Sequence, residues 1–150
     1  MRVLLMDGET IGRWVEMRLA LWPDTLAADH RAEVESSLAE RDRYASFLCE
    51  DEAGVAEASI RHDYVNGCET SPVGFLEGIY VLPAYRRRGV ARALITAVER
   101  WATSRGCQEL ASDTATDNLR SQSLHMALGF EETERVVYFR KELAPAVADN

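Results

Sequence analysis

The hydrophobic positions change period several times along the chain, and each change marks an element. An apolar run from Arg2 to Met6 predicts a first strand. Ile11, Trp14, Val15, Arg18, Leu19 and Trp22 then recur at helical spacing, and Pro23 stops that helix. Ala32 to Arg41 predicts a second helix with Val34 and Leu38 inward. Tyr44 to Glu50 and Val55 to His62 predict two strands joined by a tight turn at Asp51-Glu52-Ala53-Gly54. Asn66-Gly67 is a turn signal, and Val73 to Leu82 is a further strand ended by Pro83. The clearest helix follows, with Leu94, Ile95, Val98, Trp101 and Ala102 inward and Gly106 as its C-cap. Glu109 to Asp113 predicts a short strand and Leu119 to Leu128 a helix ending at Gly129. Phe130 to Leu143 predicts one or two closing strands, and the tail from Ala144 frays. This order predicts an α/β or α+β layout around one central mixed sheet, with residues 1–150 as a single domain.

Composition narrows the function classes. A chain of 150 residues that is 47% hydrophobic buries roughly two thirds of its unfolded surface without staples. A net charge of −8 argues against nucleic acid or an anionic membrane as partner and suits a cationic one. Cys49, Cys68 and Cys107 are odd in number and widely spaced, so neither a disulfide framework nor a metal site is expected, and a reducing cytoplasm is the simplest home. The apolar run at the N-terminus is too short for a signal peptide, and no stretch approaches the ~20 apolar residues of a membrane span.

The segment from Val81 to Ile95 carries the chemistry. A strand ends at Pro83, a basic loop with a glycine follows, and a long helix begins near Val90. Free N–H groups in the first helical turn and the helix dipole form a seat for a phosphate. Gly89 lets the backbone approach the anion, Ala91 is small for the same reason, and Arg86, Arg87 and Arg88 add charge. A helix dipole prefers acids at its N-terminus, so three arginines there fit an anion better than a solvated face.

Arg86-x-x-Gly89-x-Ala91 resembles the pyrophosphate-binding signature of the GNAT N-acetyltransferases, and the strand, proline and helix around it match as well. A second block, Asn118 followed by a helix and Ala127-Leu128-Gly129-Phe130, stands in the family's order and separation. Leu21-Trp22-Pro23, Ala58 to Cys68, Phe75 to Pro83, Ala111 to Thr114 and Gly129 to Val136 are similar to the aminoglycoside 6′-N-acetyltransferases, nearly the whole chain being covered. The turn from Asp51 to Gly54 is a few residues shorter than in those enzymes, a change at a hairpin tip.

This resemblance implies a GNAT fold: a mostly antiparallel central mixed sheet flanked by helices, with a splayed strand pair that takes acetyl-CoA. It implies direct attack of an amine in a ternary complex. Ile79, Tyr80 and Val81 would meet the pantetheine arm, with the Val81 N–H as oxyanion donor. Arg86, Arg87, Arg88, Gly89, Val90, Ala91 and Arg92 would hold the pyrophosphate, and Asn118 would contact the cofactor near its reacting end. Trp22, Tyr64, Glu77, Asp113 and Glu134 would bind the polycationic acceptor, as carboxylates with aromatic walls do. His125 stands where many family members carry a tyrosine that protonates the leaving thiolate, and Glu77 acting through water is the expected base.

Each position also has a plainer reading. Trp22 lies on the apolar face of the first helix, Tyr64 before a turn, Glu134 among solvated acids and His125 on a helix surface; His62 and His30 have weaker claims. Glu77 and Asp113 stand in otherwise apolar strands, where an unpaired carboxylate is costly, which favours function for both. The acceptor alternatives are a polyamine, a peptide lysine or a protein N-terminus; a non-catalytic acetyl-CoA-binding module is the rival of another class. The apolar strand Val136-Val137-Tyr138-Phe139 offers an edge for a homodimer.

Overall fold

A computed structural model describes residues 1–147. Five strands form one sheet in chain order: β1 (Val3–Leu5), β2 (Tyr44–Cys49), β3 (Gly54–Arg61), β4 (Val73–Val81) and β5 (Leu110–Ser112). The first three junctions are antiparallel and β4–β5 is parallel, giving the expected mixed, mostly antiparallel sheet. Helices α1 (Ile11–Leu21) and α2 (Ala27–Ala39) cover one face, and α3 (Val90–Ser104) packs on β2, β3 and β4 from the other. α4 (Leu119–Ala127) follows β5.

The α3 face is a dry apolar layer. Val90, Leu94, Ile95 and Val98 meet Phe47, Ala56, Ala58 and Leu76. Each fully buried aliphatic side chain there contributes roughly 1.5–3 kcal/mol. The α1–α2 face holds Trp14, Met17 and Val34 over Leu48 and Val55, but it also buries Arg18, His30 and Glu57.

Two expectations are corrected. α2 starts at Ala27, a full turn before the predicted Ala32. Its inner face is His30, Val34 and Leu38, and a polar first member hides the helical period. The closing strands expected over Phe130 to Leu143 are not formed among the described residues. Phe130 packs on the core, whereas residues 131–147 run exposed and outside the sheet. Val137, Tyr138 and Phe139 are 77%, 82% and 92% exposed. They are the β-branched and aromatic residues that strands favour, yet a strand needs a neighbour for its backbone groups.

Candidate active site

The site grows from one irregularity in β4. Glu57 of β3 pairs with Gly78, and the next residue, Ala58, pairs with Leu76, so Glu77 is an extra residue on β4. Such a bulge re-aims side chains. Leu76, Ile79 and Val81 belong to the α3 layer. Tyr80 packs toward α1, and Glu77 is turned onto that same face. There its carboxylate accepts from Ser59 Oγ at 2.6 Å and pairs with Arg61 at 3.0 Å. Gly78 is needed beside it: a Cβ there would lie 2.7 Å from the Trp22 ring and from Leu21 Cδ2.

Beyond the bulge the sheet opens. β5 pairs with β4 only from Gly74 to Leu76, so Gly78–Val81 pair with β3 alone and leave their other edge free. The expected splayed pair is this wedge. Ser112 is the last paired residue of β5. Its Oγ lies 2.8 Å from His125 Nε2 and 3.2 Å from the Leu76 carbonyl. His125 Nδ1 faces the Ser121 carbonyl at 2.7 Å, so it carries the ring proton and Nε2 is the acceptor.

At the far end of β4 the basic loop takes a left-handed path. Arg87 has φ 63° and Gly89 has φ 80°, and Gly89 caps α3. Paired left-handed residues before a helix turn successive N–H groups into one concavity. A Cβ on Gly89 meets nothing within 4 Å, so the demand for glycine comes from its φ. No acid lies in the first turn of α3. The arginines divide the work. Arg86 Nε donates to the Val81 carbonyl at 3.1 Å and Arg92 donates to the Ala127 carbonyl at 2.8 Å, while Arg87 and Arg88 are exposed.

A cavity of about 500 Å³ lies between the α1–α2 pair and the sheet, bordered by Arg18, Trp22, His30, Glu33, Glu57 and Glu77. Trp22 is therefore both packed and presented. Arg18 donates to Glu57 Oε1 at 2.5 Å and to Glu33, and Trp14 Nε1 donates to the other oxygen of Glu57. Removing one member of such a buried pair costs about 3–5 kcal/mol.

The remaining candidates do not border this cavity. Asp113 follows β5 and is exposed; Asn118 caps α4 by accepting from the Ser121 amide at 3.1 Å. Tyr64 is exposed on the loop between β3 and β4. Thr133 lies against Gly67 of that loop, and the next residue, Glu134, is exposed.

Glu77 and Asp113 do not stand as unpaired carboxylates inside apolar strands. Glu77 is partly exposed and paired, and Asp113 lies past its strand, so neither is a stranded buried charge. The carboxylate buried within an apolar strand is Glu57, held by Arg18 and Trp14; sequence reasoning missed it although it stands in the apolar run Val55 to Ile60. His30, ranked low, is 1% exposed and tied into the same group. Burial pushes the thiols of Cys49, Cys68 and Cys107 up, which leaves none poised as a nucleophile.

The family model described as the acetyltransferase (GNAT) family matches residues 14–130. The chain belongs to this family. Its GNAT signature, Arg86 to Ala91, coincides with the left-handed loop and the start of α3. Among GNAT relatives, the aminoglycoside N(6′)-acetyltransferase type 1 of Salmonella typhimurium is 51% identical over 144 residues, 94% of this chain and 99% of the relative. That of Serratia marcescens is 49% identical over 145 residues, again 94% and 99%. Among solved GNAT structures, AAC(6′)-Iy in complex with the bisubstrate analogue CoA-S-monomethyl-acetylneamine is 51% identical with a TM-score of 0.89, covering 95% of this chain and 98% of that one. The apo 6′-N-acetyltransferase of Acinetobacter haemolyticus is 48% identical with a TM-score of 0.91, covering 96% and 100%.

Proposed function

We infer that this chain transfers the acetyl group of acetyl-CoA to the 6′-amine of aminoglycoside antibiotics and so confers resistance to them. The observation that carries this is the full-length similarity to aminoglycoside N(6′)-acetyltransferases, which favours this acceptor over a polyamine, a peptide or a protein N-terminus, and an enzyme over a binding module. The residues present fit acetyl-CoA: the left-handed Arg87–Gly89 loop at the start of α3 suits its pyrophosphate, and the free edge of Gly78–Val81 suits the amides of its arm. Acetyl-CoA supplies a thioester already activated toward an amine.

The chain's own groups then have four tasks. Ile79, Tyr80 and Val81 offer backbone groups along the wedge, with the Val81 N–H stabilising the oxyanion. Arg86 holds the Val81 carbonyl and so the end of that strand, while Arg87, Arg88, Gly89, Val90, Ala91 and Arg92 seat the phosphates, and Asn118 lies near the reacting end. Glu77 binds the acceptor ammonium and takes its proton through water, with Trp22, Tyr64, Asp113 and Glu134 as the remaining acceptor contacts. His125, on taking up a proton from solvent at Nε2, passes it through the Ser112 hydroxyl at the mouth of the wedge to the departing sulfur. Mass spectrometry of products tests this reading: aminoglycosides with a free 6′-amine gain one acetyl group and 6′-hydroxyl analogues do not. Equal acetylation of both moves the reaction to another nitrogen.

The working form proposed here is a homodimer in which the exposed strand Val136 to Phe139 finds its edge on a second copy. Light scattering that gives a monomer at working concentration would remove this. We place the enzyme in the cytoplasm, where its three unpaired thiols stay reduced; recovery from a periplasmic fraction would contradict that. No helix among the described residues is long and apolar enough to cross a membrane.

A further inference from the structure

The buried polar residues are not scattered. Among the described residues they are Arg18, His30, Ser46, Glu57 and Ser59. The first four border the cavity, and Ser59 touches Glu77. An ion pair such as Arg18–Glu57 adds little to stability beyond what apolar residues of the same size would give, so its place beside the cavity needs another reason.

The hydrogen bonds form a chain that ends at Trp22. Glu57, opposite the bulge, fixes the Arg18 guanidinium. Arg18 Nε donates to His30 Nδ1 at 3.1 Å. Arginine has no acceptor to offer, so His30 Nδ1 is bare and Nε2 carries the hydrogen. That Nε2–H meets the Trp22 carbonyl at 3.0 Å. The Trp22 ring is gripped by the same two residues: the His30 ring stacks on it with centroids 6.4 Å apart, and the Arg18 guanidinium lies 5.0 Å from its centroid. Its outer edge fills the space where Gly78 has no side chain, next to Glu77. One tautomer of one histidine thus links the strand opposite the bulge to the aromatic wall above it.

We propose that Arg18 and His30 are positioning residues for the acceptor: through Glu57 they set the Trp22 wall against the Gly78 bulge, and so set the width of the acceptor site beside Glu77. This rests on the reading of Trp22 and Glu77 as acceptor contacts. The cofactor wedge lies on the other edge of β4 and has no member in the chain of bonds.

The test compares His30→Leu, which fills the space but makes neither bond, with His30→Gln, which keeps one acceptor and one donor. Both are measured for KM of kanamycin, KM of acetyl-CoA, melting temperature and the Trp22 emission, isolated by subtracting each Trp22→Phe counterpart. His30→Leu should raise the kanamycin KM about tenfold, since ångström-scale misplacement costs up to about a hundredfold. It should shift the Trp22 emission and leave the acetyl-CoA KM within about twofold. His30→Gln should restore both acceptor KM and emission. Equal rises in both KM values, unchanged Trp22 emission in His30→Leu, or no rescue by glutamine at equal stability would each overturn the proposal. Should the wild-type chain fail to acetylate kanamycin, the acceptor assignment falls alone, and the emission shift with its glutamine rescue still decides whether His30 places Trp22.

Discussion

On the α3 face of the sheet, Leu94 and Val98 close an apolar layer over Ala56, Ala58 and Leu76; on the α1–α2 face, the same strands carry Glu57, Ser59 and Glu77 beneath a cavity. The recognition proposed for the two substrates accounts for the difference. Beside the apolar face, acetyl-CoA would be met by backbone: a free strand edge and the amides of a helix start. Those groups need only a rigid support, which close-packed aliphatic side chains provide. Across the sheet a cationic acceptor would be met by side chains, which must be aimed, and aiming polar groups near a core requires further polar groups to hold them. A GNAT enzyme can therefore keep one face uniform and let the other decide what it acetylates.

The largest break should come on the backbone side. Arg86→Ala with Gly89→Asp removes the hold on the Val81 carbonyl, places an acid at the anion seat and forces an L-residue to φ 80°. The strain is about 1–3 kcal/mol, within what a domain of this size tolerates. The double variant should fold, and calorimetric titration should find no acetyl-CoA binding. Unchanged affinity would refute the phosphate seat.

A smaller effect belongs to the side-chain face. Glu77→Gln should lower kcat and kcat/KM for aminoglycosides about thirtyfold, the low end of ~2–5 kcal/mol because the group is partly exposed. Asp113→Asn should act mainly on acceptor KM. Acetyl-CoA affinity should hold in both, and full kinetics with each substrate varied separate the two faces. If both variants keep wild-type kcat/KM, the carboxylates serve the fold alone.

The smallest effect sharpens the comparison at the rim. The Thr70 hydroxyl and the Glu69 and Thr70 amides donate to Glu109 and hold its carboxyl below the usual carboxylate range. The tether on this part of the loop is fully present above the ordinary carboxylate value and is lost as pH falls through the lowered one. Protection of the Glu69 and Thr70 amides, taken relative to their intrinsic exchange rate at each pH, should therefore fall at the acid end while α3 stays protected, and Glu109→Gln should lower it at every pH with kcat unchanged. A protection factor that does not change with pH would show that the loop is held by something else.

Much of this was legible in the chain itself. The periods of α1 and α3, the strands β2 to β4, Pro23 and Pro83 as stops, and Gly89 before an arginine-flanked helix are local signals, because backbone propensity and phosphate binding act within one or two turns of chain. Three matters were decided only in three dimensions. The bulge that turns Glu77 toward the cavity depends on the register with β3, which no run of residues encodes alone. Arg18, His30 and Glu57 read singly as a helix charge, a polar helix residue and a strand acid, and their meaning arises from meeting across α1, α2 and β3. Lastly, Val136 to Phe139 is a run of the β-branched and aromatic residues that strands favour, but a strand exists only where another backbone accepts its hydrogen bonds, and among the described residues none does.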